Sequence, residues 1–155
     1  MTMKKAAHEL REIIPGYSEK LTMIPENTFA QKLSPEKWSG KEELGHLIDS
    51  AHTNLRRFLV GQYETNPKIV YDQNFWVQSN RYGEGNSNDL VQLWKLLNIQ
   101  ISEVLESMPE SNYKRMCDTG KGQIELHSLE WLAEDYVKHL KHHMHHILDL
   151  EPVAY

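Results

Sequence analysis

The sequence predicts an all-α protein built as a four-helix bundle. Three observations indicate this class. Apolar residues recur at helical spacing in four separate segments, recognisable start and stop signals bound these segments, and the alternating pattern of strands is almost absent. The chain has 155 residues, which is the size of one domain, so we expect residues 1–155 to form a single bundle.

The first predicted helix runs from about Thr2 to Met23. Pro15 and Gly16 interrupt it in the middle. Because proline removes a backbone donor and clashes with the preceding turn, we expect either a kink at Pro15 or the start of a second short helix there.

The second predicted helix begins at a capping box, in which Ser39 and Glu42 satisfy each other's free backbone N–H groups. Its apolar stripe runs from Leu44 to Leu59, and either Gly61 or the residues near Pro67 end the helix. Residues 62–87 then form a long connection to the third helix. This length is too great for a tight antiparallel turn, so we expect a crossover, or a lid over one end of the bundle.

The third predicted helix carries the clearest stripe, from Leu90 to Met108, and Pro109 lies just beyond its end. A glycine turn with a short extended piece follows at residues 118–128. Ser128 is the expected N-cap of the fourth helix, which we expect to end near Glu151-Pro152.

Charge and composition argue against several classes of partner. The formal net charge is −5 and no basic face is present, which argues against nucleic acid. No apolar run approaches the roughly 20 residues that a membrane span needs. The first residues also lack the apolar centre of a secretory signal. We therefore expect a cytoplasmic protein with no membrane partner.

Cys117 is the single cysteine, so an intrachain disulfide is excluded. It lies in a polar segment beside Lys114 and Arg115, whose charges would lower its pKa and make it reactive. The alternative is a solvent-tolerant side chain with no chemical role, and this is the interpretation that the sequence favours.

Five of the nine histidines are concentrated in the fourth predicted helix. On a helical wheel His143 falls inside the apolar stripe, and His139 lies at its edge one turn earlier. Imidazoles at i and i+4 can share one divalent ion. A buried imidazole with a satisfied hydrogen bond is the alternative for each. His142 and His145 point away from the stripe and His146 is intermediate, so these three are interpreted as a solvated face.

A catalytic metal site needs about three protein ligands, and the second helix offers a further candidate. Between Leu44 and Leu55 its polar residues are short, with no Lys, Arg or Glu, which is typical of a face lining a polar cleft. His46 lies in the middle of that face. The wheel places it opposite the apolar stripe, which argues against a core position and fits a ligand in a water-filled groove. Asp49, one turn later, either orients His46 or acts on a bound water, or is an ordinary surface aspartate.

Two segments carry recognisable motifs. Residues 37–58 read "KWSGKEELGHLIDSAHTNLRRF" and residues 136–147 read "YVKHLKHHMHHI". They resemble the W-S-x-x-x-x-x-x-H-L-x-D-S segment and the closing H-x-x-x-H helix of the DinB/YfiT-like superfamily. The intervening "YETNPKIVYDQNFWV" is similar to the segment that follows the second helix in the YfiT branch. The resemblance spans most of the chain, from Trp38 to Ile147.

The resemblance implies a four-helix bundle of up-down-down-up topology that holds a divalent ion, typically zinc or nickel, through three histidines. On this sequence they are His46, His139 and His143. Members often form homodimers. Some are S-transferases or isomerases that use low-molecular-weight thiols, of which bacillithiol is one, and the YfiT branch is regarded as a group of metal-dependent hydrolases.

We therefore expect a metal-dependent enzyme that carries out thiol S-transfer or hydrolysis on a small-molecule substrate. One alternative is a non-catalytic metal-binding or stress-response protein, of the DNA-damage-inducible-like kind, in which the ion is structural. Another is a bundle whose histidines bind no metal and whose helices mediate dimerisation. The histidine cluster also offers alternative ligand registers, such as His142 with His146.

Overall fold

The computed structural model describes residues 3–155, and four long helices dominate it. They are α1 (Met3–Thr22), α3 (Gly40–Val60), α5 (Ser87–Ser107) and α6 (Leu129–Ile147). The shorter elements are α2 (Glu26–Ala30), α4 (Gln73–Asn80), 3-10 turns at Tyr82–Glu84 and Glu110–Asn112, and the antiparallel strands β1 (Met116–Asp118) and β2 (Leu126–Ser128). The helical bundle predicted from the sequence is confirmed. Among these described helices, none has the length and apolar character that a membrane crossing requires.

α3 and α6 lie side by side and run in opposite directions. The start of α3 meets the end of α6, where Glu43 accepts a hydrogen bond from His143. At the other end of the pair, Gly61 lies against Leu129, the first residue of α6. A Cβ added to Gly61 would come within 2.7 Å of the Leu129 side chain, so glycine allows the two helix ends to approach closely.

α1 runs parallel to α6. Glu9 accepts a hydrogen bond from Lys141, and further along both helices the hydroxyl of Tyr17 is 2.7 Å from Nε2 of His145. The two contacts follow the same order along both helices, so the two helices point in the same direction. α1 and α6 therefore point the opposite way to α3.

α3 and α5 run in the same direction, which explains the long connection between them. At the start of both helices Lys41 donates to the carbonyl of Gly85, and just beyond their far ends Asn112 donates to Gln62. The topology is therefore up-down-down-up. Residues 62–86 have to return along the length of α3, about 30 Å for a helix of this size. The predicted crossover is confirmed, and it contains an unpredicted short helix, α4, which packs on α3.

α1 continues through Pro15 as one helix, so no second short helix starts there. The predicted beginning at Thr2 lies outside the described residues. Pro15 and Arg11, whose carbonyl loses its partner, both lie on the exposed side of α1, where water can replace the missing hydrogen bond. Leu10 and Ile14 pack the opposite face into the core, and this burial offsets a local cost of about 3 kcal/mol.

The predicted caps are present at the starts of α3 and α6. Ser39 and Glu42 form the complete capping box of α3, and the side chain of Ser128 caps α6. The predicted end of α6 is wrong, because the helix stops at Ile147, about one turn before Glu151. The residues after it turn back toward the site described below.

Cys117 lies in β1 and is fully buried, so the interpretation of a solvent-tolerant side chain is wrong. The crossover covers this region, because Lys68 pairs with Asp118 beside the hairpin. Burial raises the pKa of the Cys117 thiol, while the charge of Arg57 opposes the rise. A shielded, protonated thiol is unreactive, so the structure also argues against the reactive alternative.

Candidate metal centre

His46 is buried near the start of α3, with 2% of its surface exposed. The wheel argues against a core position for it, and that expectation is wrong. α6 packs on one side of this half of α3, while α4 and the turn at Tyr82 pack on another. A wheel drawn for one helix has no information on Trp38 or on α6, whose side chains contact this imidazole.

Three histidines converge at this end of the bundle. His46 from α3 and His139 and His143 from α6 each offer a ring nitrogen, and these nitrogens all lie within 4.8 Å of one another. Nε2 of His46 is 3.3 Å from Nε2 of His139. Two ligands on a tetrahedral zinc ion, at about 2.0–2.1 Å from it, stand about 3.4 Å apart. The spacing of this pair therefore fits two ligands of one ion.

Glu43 fixes the orientation of His143. Nδ1 of His143 donates to Oε2 of Glu43 over 2.8 Å, which leaves the lone pair of Nε2 available. Oε1 of Glu43 accepts from Nδ1 of His146 over 2.6 Å. Burial alone would raise the pKa of Glu43, but the hydrogen bonds and charges of both histidines outweigh burial and lower it. A carboxylate that holds the far nitrogen of a histidine is the usual support of a metal ligand.

Sequence reasoning did not single out Glu43, although one signal was available. Glu43 precedes His46 by three residues, so both lie on the same face of α3. A carboxylate in the first turn also interacts favourably with the helix dipole. This role alone would explain a glutamate at position 43, so the sequence gives no reason to assign it a second one. The wheel for α6 was off by a small rotation, because Met144 is fully buried and His143 is half-buried at the edge of the stripe.

The indole of Trp38 packs on the ring of His46, with centroids 4.9 Å apart and an interplanar angle of 30°. Nδ1 of His46 is buried and has no hydrogen-bond partner among residues 3–155. Packing, rather than a second hydrogen bond, therefore orients this imidazole. Buried polar atoms without partners are rare in folded proteins and concentrate where a functional group acts.

Burial keeps the two inner imidazoles neutral. The pKa of His46 is lowered to about 4 and that of His139 to about 3, chiefly by burial and further by the charge of His143. Neutral imidazole is the form that binds metal. These nitrogens can therefore accept an ion at neutral pH without first losing a proton.

The predicted solvated face is correct for His142 and His146, which are exposed, whereas His145 is half-buried. His142 and His145 also hold the end of the chain. Nδ1 of His145 donates to the carbonyl of Glu151, and Nδ1 of His142 donates to the carbonyl of Val153. His145 also meets α1 through Tyr17. Residues 151–155 thus return along α6 in the direction of the site, tied down by the same helix that carries two of the three converging imidazoles.

The alternative ligand register is not assembled. Within residues 3–155, His46, His139 and His143 form the group whose donor atoms converge as a metal ion requires. His142 and His146 are both exposed, and each is engaged elsewhere, His142 by the returning chain and His146 by Glu43. The i, i+4 spacing that these two share is therefore not used in this structure.

Asp49 is completely buried, so its interpretation as a surface aspartate is wrong. Its Oδ1 accepts hydrogen bonds from Tyr82 over 2.5 Å and from Asn80 over 3.2 Å. In the part of the chain that the structure describes, its Oδ2 has no hydrogen-bond partner, so no hydrogen bond joins it to His46. Burial raises the pKa of Asp49 to about 6, while the bond from Tyr82 opposes the rise. The hydrogen bonds of Asp49 tie α3 to the crossover.

Asp49→Asn should stabilise the protein more at pH 7 than at pH 4. Because the folded pKa of Asp49 is raised above its ordinary value of 3.8 to about 6, ionisation costs stability, and the cost grows as the pH rises from about 4 to 6. The variant should gain up to about 3 kcal/mol over that window. Urea unfolding of both proteins at several pH values measures the difference in their free energies of unfolding. The titration of the histidines contributes equally to both proteins and cancels in this difference. A difference that is flat with pH contradicts the prediction.

Glu43→Gln should weaken the binding of zinc by roughly 10–100-fold, the usual effect of losing a carboxylate behind a ligand histidine. The amide no longer attracts the Nδ1 proton of His143 as strongly. Calorimetric titration with zinc measures the loss. His142→Ala serves as the control, because His142 contacts the returning chain instead, and equal affinities in the wild type and Glu43→Gln would rule out the supporting role.

The fold is close to that of solved structures. The chain superposes on YfiT from Bacillus subtilis, a probable metal-dependent hydrolase with an unusual four-helix bundle topology, with a TM-score of 0.85. The two sequences are 21% identical, and the match covers 95% of this chain and 84% of that chain. No curated protein matches the sequence.

Two structures of the mycothiol-dependent maleylpyruvate isomerase share the same fold. The TM-scores are 0.71 at 16% identity for the isomerase and 0.76 at 13% identity for one of its mutants. Each match covers 99% of this chain and 62% of that chain, so the protein spans less than two thirds of the isomerase. A family model of the DinB superfamily matches residues 8–147, and the chain belongs to that superfamily.

Proposed function

We propose that the protein is an enzyme that uses a divalent ion, held by His46, His139 and His143, to act on a small molecule. The observation that carries the proposal is the convergence of three ring nitrogens from two helices within 4.8 Å. Burial lowers the pKa of two of these imidazoles, and neutral imidazole suits zinc and nickel. The description of YfiT as a probable metal-dependent hydrolase supports the same assignment.

A bound ion would supply Lewis acidity, which can activate a water for hydrolysis or the thiol of a cofactor such as bacillithiol for S-transfer. The protein orients the metal-binding imidazoles and shields them from water. Glu43 holds His143 with Nε2 free, and Trp38 packs on His46. Three protein ligands leave a coordination position for a substrate.

Thiol S-transfer and hydrolysis need the same three ligands, so the assay has to separate them. The thiol dependence of the structurally similar isomerase supports the S-transfer branch, and the description of YfiT supports the hydrolytic one. Untagged protein is loaded with zinc or nickel and offered thiols with an electrophile, or esters and amides with water alone. We expect turnover in one of the two series, at one metal ion per chain.

Loss of turnover in His139→Ala, with unchanged circular dichroism, would tie the activity to this site. Untagged protein that binds no stoichiometric ion would contradict the proposal. Turnover that persists after complete chelation would contradict it as well, because the proposed reaction depends on the ion.

A purely structural ion makes a different prediction for chelation. The core between α1 and α5 is apolar and includes the fully buried Leu10 and Trp94, so we expect the metal-free protein to keep its helices. Removing the ion should lower the melting temperature through the lost binding energy alone. Collapse of the helical signal at 25 °C on chelation would favour the structural role.

The homodimer and the cytoplasmic location stay predictions. Light scattering after size-exclusion chromatography measures the mass of the metal-loaded protein in solution. A mass twice that of the 18.2 kDa chain is the expected result. Fractionation of cells that express the untagged protein tests the location.

A further inference from the structure

A small cavity of about 140 Å³ lies beside the converging histidines, and His46 and His139 form part of its lining. The space has room for a ligand the size of a small amino acid. Two groups of opposite charge also line the cavity, Arg57 from α3 and Asp135 from α6. The metal site described above uses neither of them.

Arg57 is a half-buried cation with part of its donor capacity unused. Nε and Nη2 both donate to the carbonyl of Ile69, and Nη1 donates weakly to Asn54 over 3.4 Å. Three of the five N–H groups of a guanidinium are thus engaged, and two are left for a ligand. Burial lowers the pKa of Arg57, and among the described residues no carboxylate lies within ion-pair distance of it.

Asp135 is a half-buried anion on the other helix. Its Oδ2 accepts a hydrogen bond from the hydroxyl of Tyr155 over 3.0 Å. Within residues 3–155 no cationic side chain pairs with it. Arg57 and Asp135 therefore face one cavity without forming a salt bridge. Because neither charge is used in an ion pair among the described residues, both are available to a ligand in the cavity.

We propose that this cavity binds the zwitterionic head of an α-amino acid, with its carboxylate on Arg57 and its ammonium on Asp135. The inference rests on the proposed metal function in one respect. A ligand in this cavity that also carries a coordinating side chain, such as the thiol of a cysteinyl compound, would present it toward His46 and His139. Arg57 suits the carboxylate because its planar fork can bind both oxygens.

The purely structural alternative is that Arg57 serves to hold the crossover at Ile69. A role in holding the crossover and a role in binding a carboxylate predict different effects of a variant on the affinities of different ligands. A structural loss weakens every ligand alike, whereas loss of a carboxylate subsite weakens those that carry a carboxylate. Arg57→Lys keeps the charge and removes the fork, and Asp135→Asn keeps the shape and removes the charge.

The first experiment uses nickel-loaded protein and three thiols. Cysteine carries both charges, 3-mercaptopropionate lacks the ammonium group, and cysteamine lacks the carboxylate. The absorption band of thiolate coordination reports binding. We expect Arg57→Lys to weaken cysteine and 3-mercaptopropionate about 10-fold and to leave cysteamine unchanged. Asp135→Asn should weaken cysteine and cysteamine and spare 3-mercaptopropionate, and Arg56→Lys, on the exposed side of α3, should change none of them.

The second experiment needs no metal. The Arg57 Nε–H signal of metal-free protein is followed by NMR during titration with alanine, propionate and ethylamine. Alanine should shift it most, propionate less and ethylamine least. If this order holds while no thiol alters the nickel spectrum, the cavity assignment stands and thiol chemistry at the metal fails. A signal that responds to none of the three, or variants that weaken all three thiols equally, would overturn the inference.

Discussion

We expect the replacement of His139 or His143 by alanine to lower the affinity of the untagged protein for zinc by more than about 100-fold. Each change removes one of the three ring nitrogens that converge within 4.8 Å. Loss of a ligand exceeds the roughly 10–100-fold effect of losing a group that merely supports one. Competition titration against a chromogenic chelator measures the affinity, and circular dichroism checks that the helices remain.

His145→Ala is the matched control for this prediction. His145 lies on the same helix, but its two nitrogens bond Tyr17 and the carbonyl of Glu151. Its removal should leave zinc affinity unchanged while it loosens the returning chain. Equal losses of affinity at positions 139, 143 and 145 would show that the proposed ligand register is wrong.

We expect Gly45→Ala to lower the free energy of unfolding by about 2–4 kcal/mol, although alanine is the better helix former. In a helix interior the replacement of glycine by alanine normally stabilises the protein by about 0.5–1 kcal/mol. At Gly45 the added Cβ would lie 2.1 Å from the ring of Tyr82. The ring has to move, which strains the packing and breaks its bond to buried Asp49. Urea unfolding measures the loss.

Gly16→Ala gives the opposite sign and serves as the control. Gly16 is also inside a long helix, but no described atom other than its chain neighbours and the backbone of its own helix lies within 4 Å of its added Cβ. The free energy of unfolding of the Gly16→Ala variant should rise by about 0.5–1 kcal/mol. In a Tyr82→Ala background the penalty at Gly45 should disappear, because the clashing ring is gone. A stabilised Gly45→Ala protein would contradict the packing of Tyr82 over the start of α3.

The helices could be predicted from the sequence because local rules set their limits. The capping box at Ser39 and Glu42 and the cap at Ser128 depend on residues three positions apart. Periodicity also placed His139 and His143 on the inner side of α6. The length of the crossover indicated that the second and third long helices do not form a tight antiparallel pair.

The rest depended on contacts between distant parts of the chain. His46 is buried by Trp38 and by the histidines of α6, and Asp49 is buried where the crossover packs on α3. Cys117 is buried where the crossover packs beside the hairpin. Its polar neighbours in the sequence predict an exposed position instead. Arg57 shares a cavity with Asp135 on another helix. A wheel or a local composition has no information on such covering elements.

Anomalous diffraction from a crystal of untagged, zinc-loaded protein is the most direct test of the proposed metal centre. We expect one ion per chain, bound by Nε2 of His46, His139 and His143, with Glu43 still bonded to Nδ1 of His143. An ion bound instead by His142 and His146, or imidazoles at 46, 139 and 143 that turn away from a common point, would contradict the account.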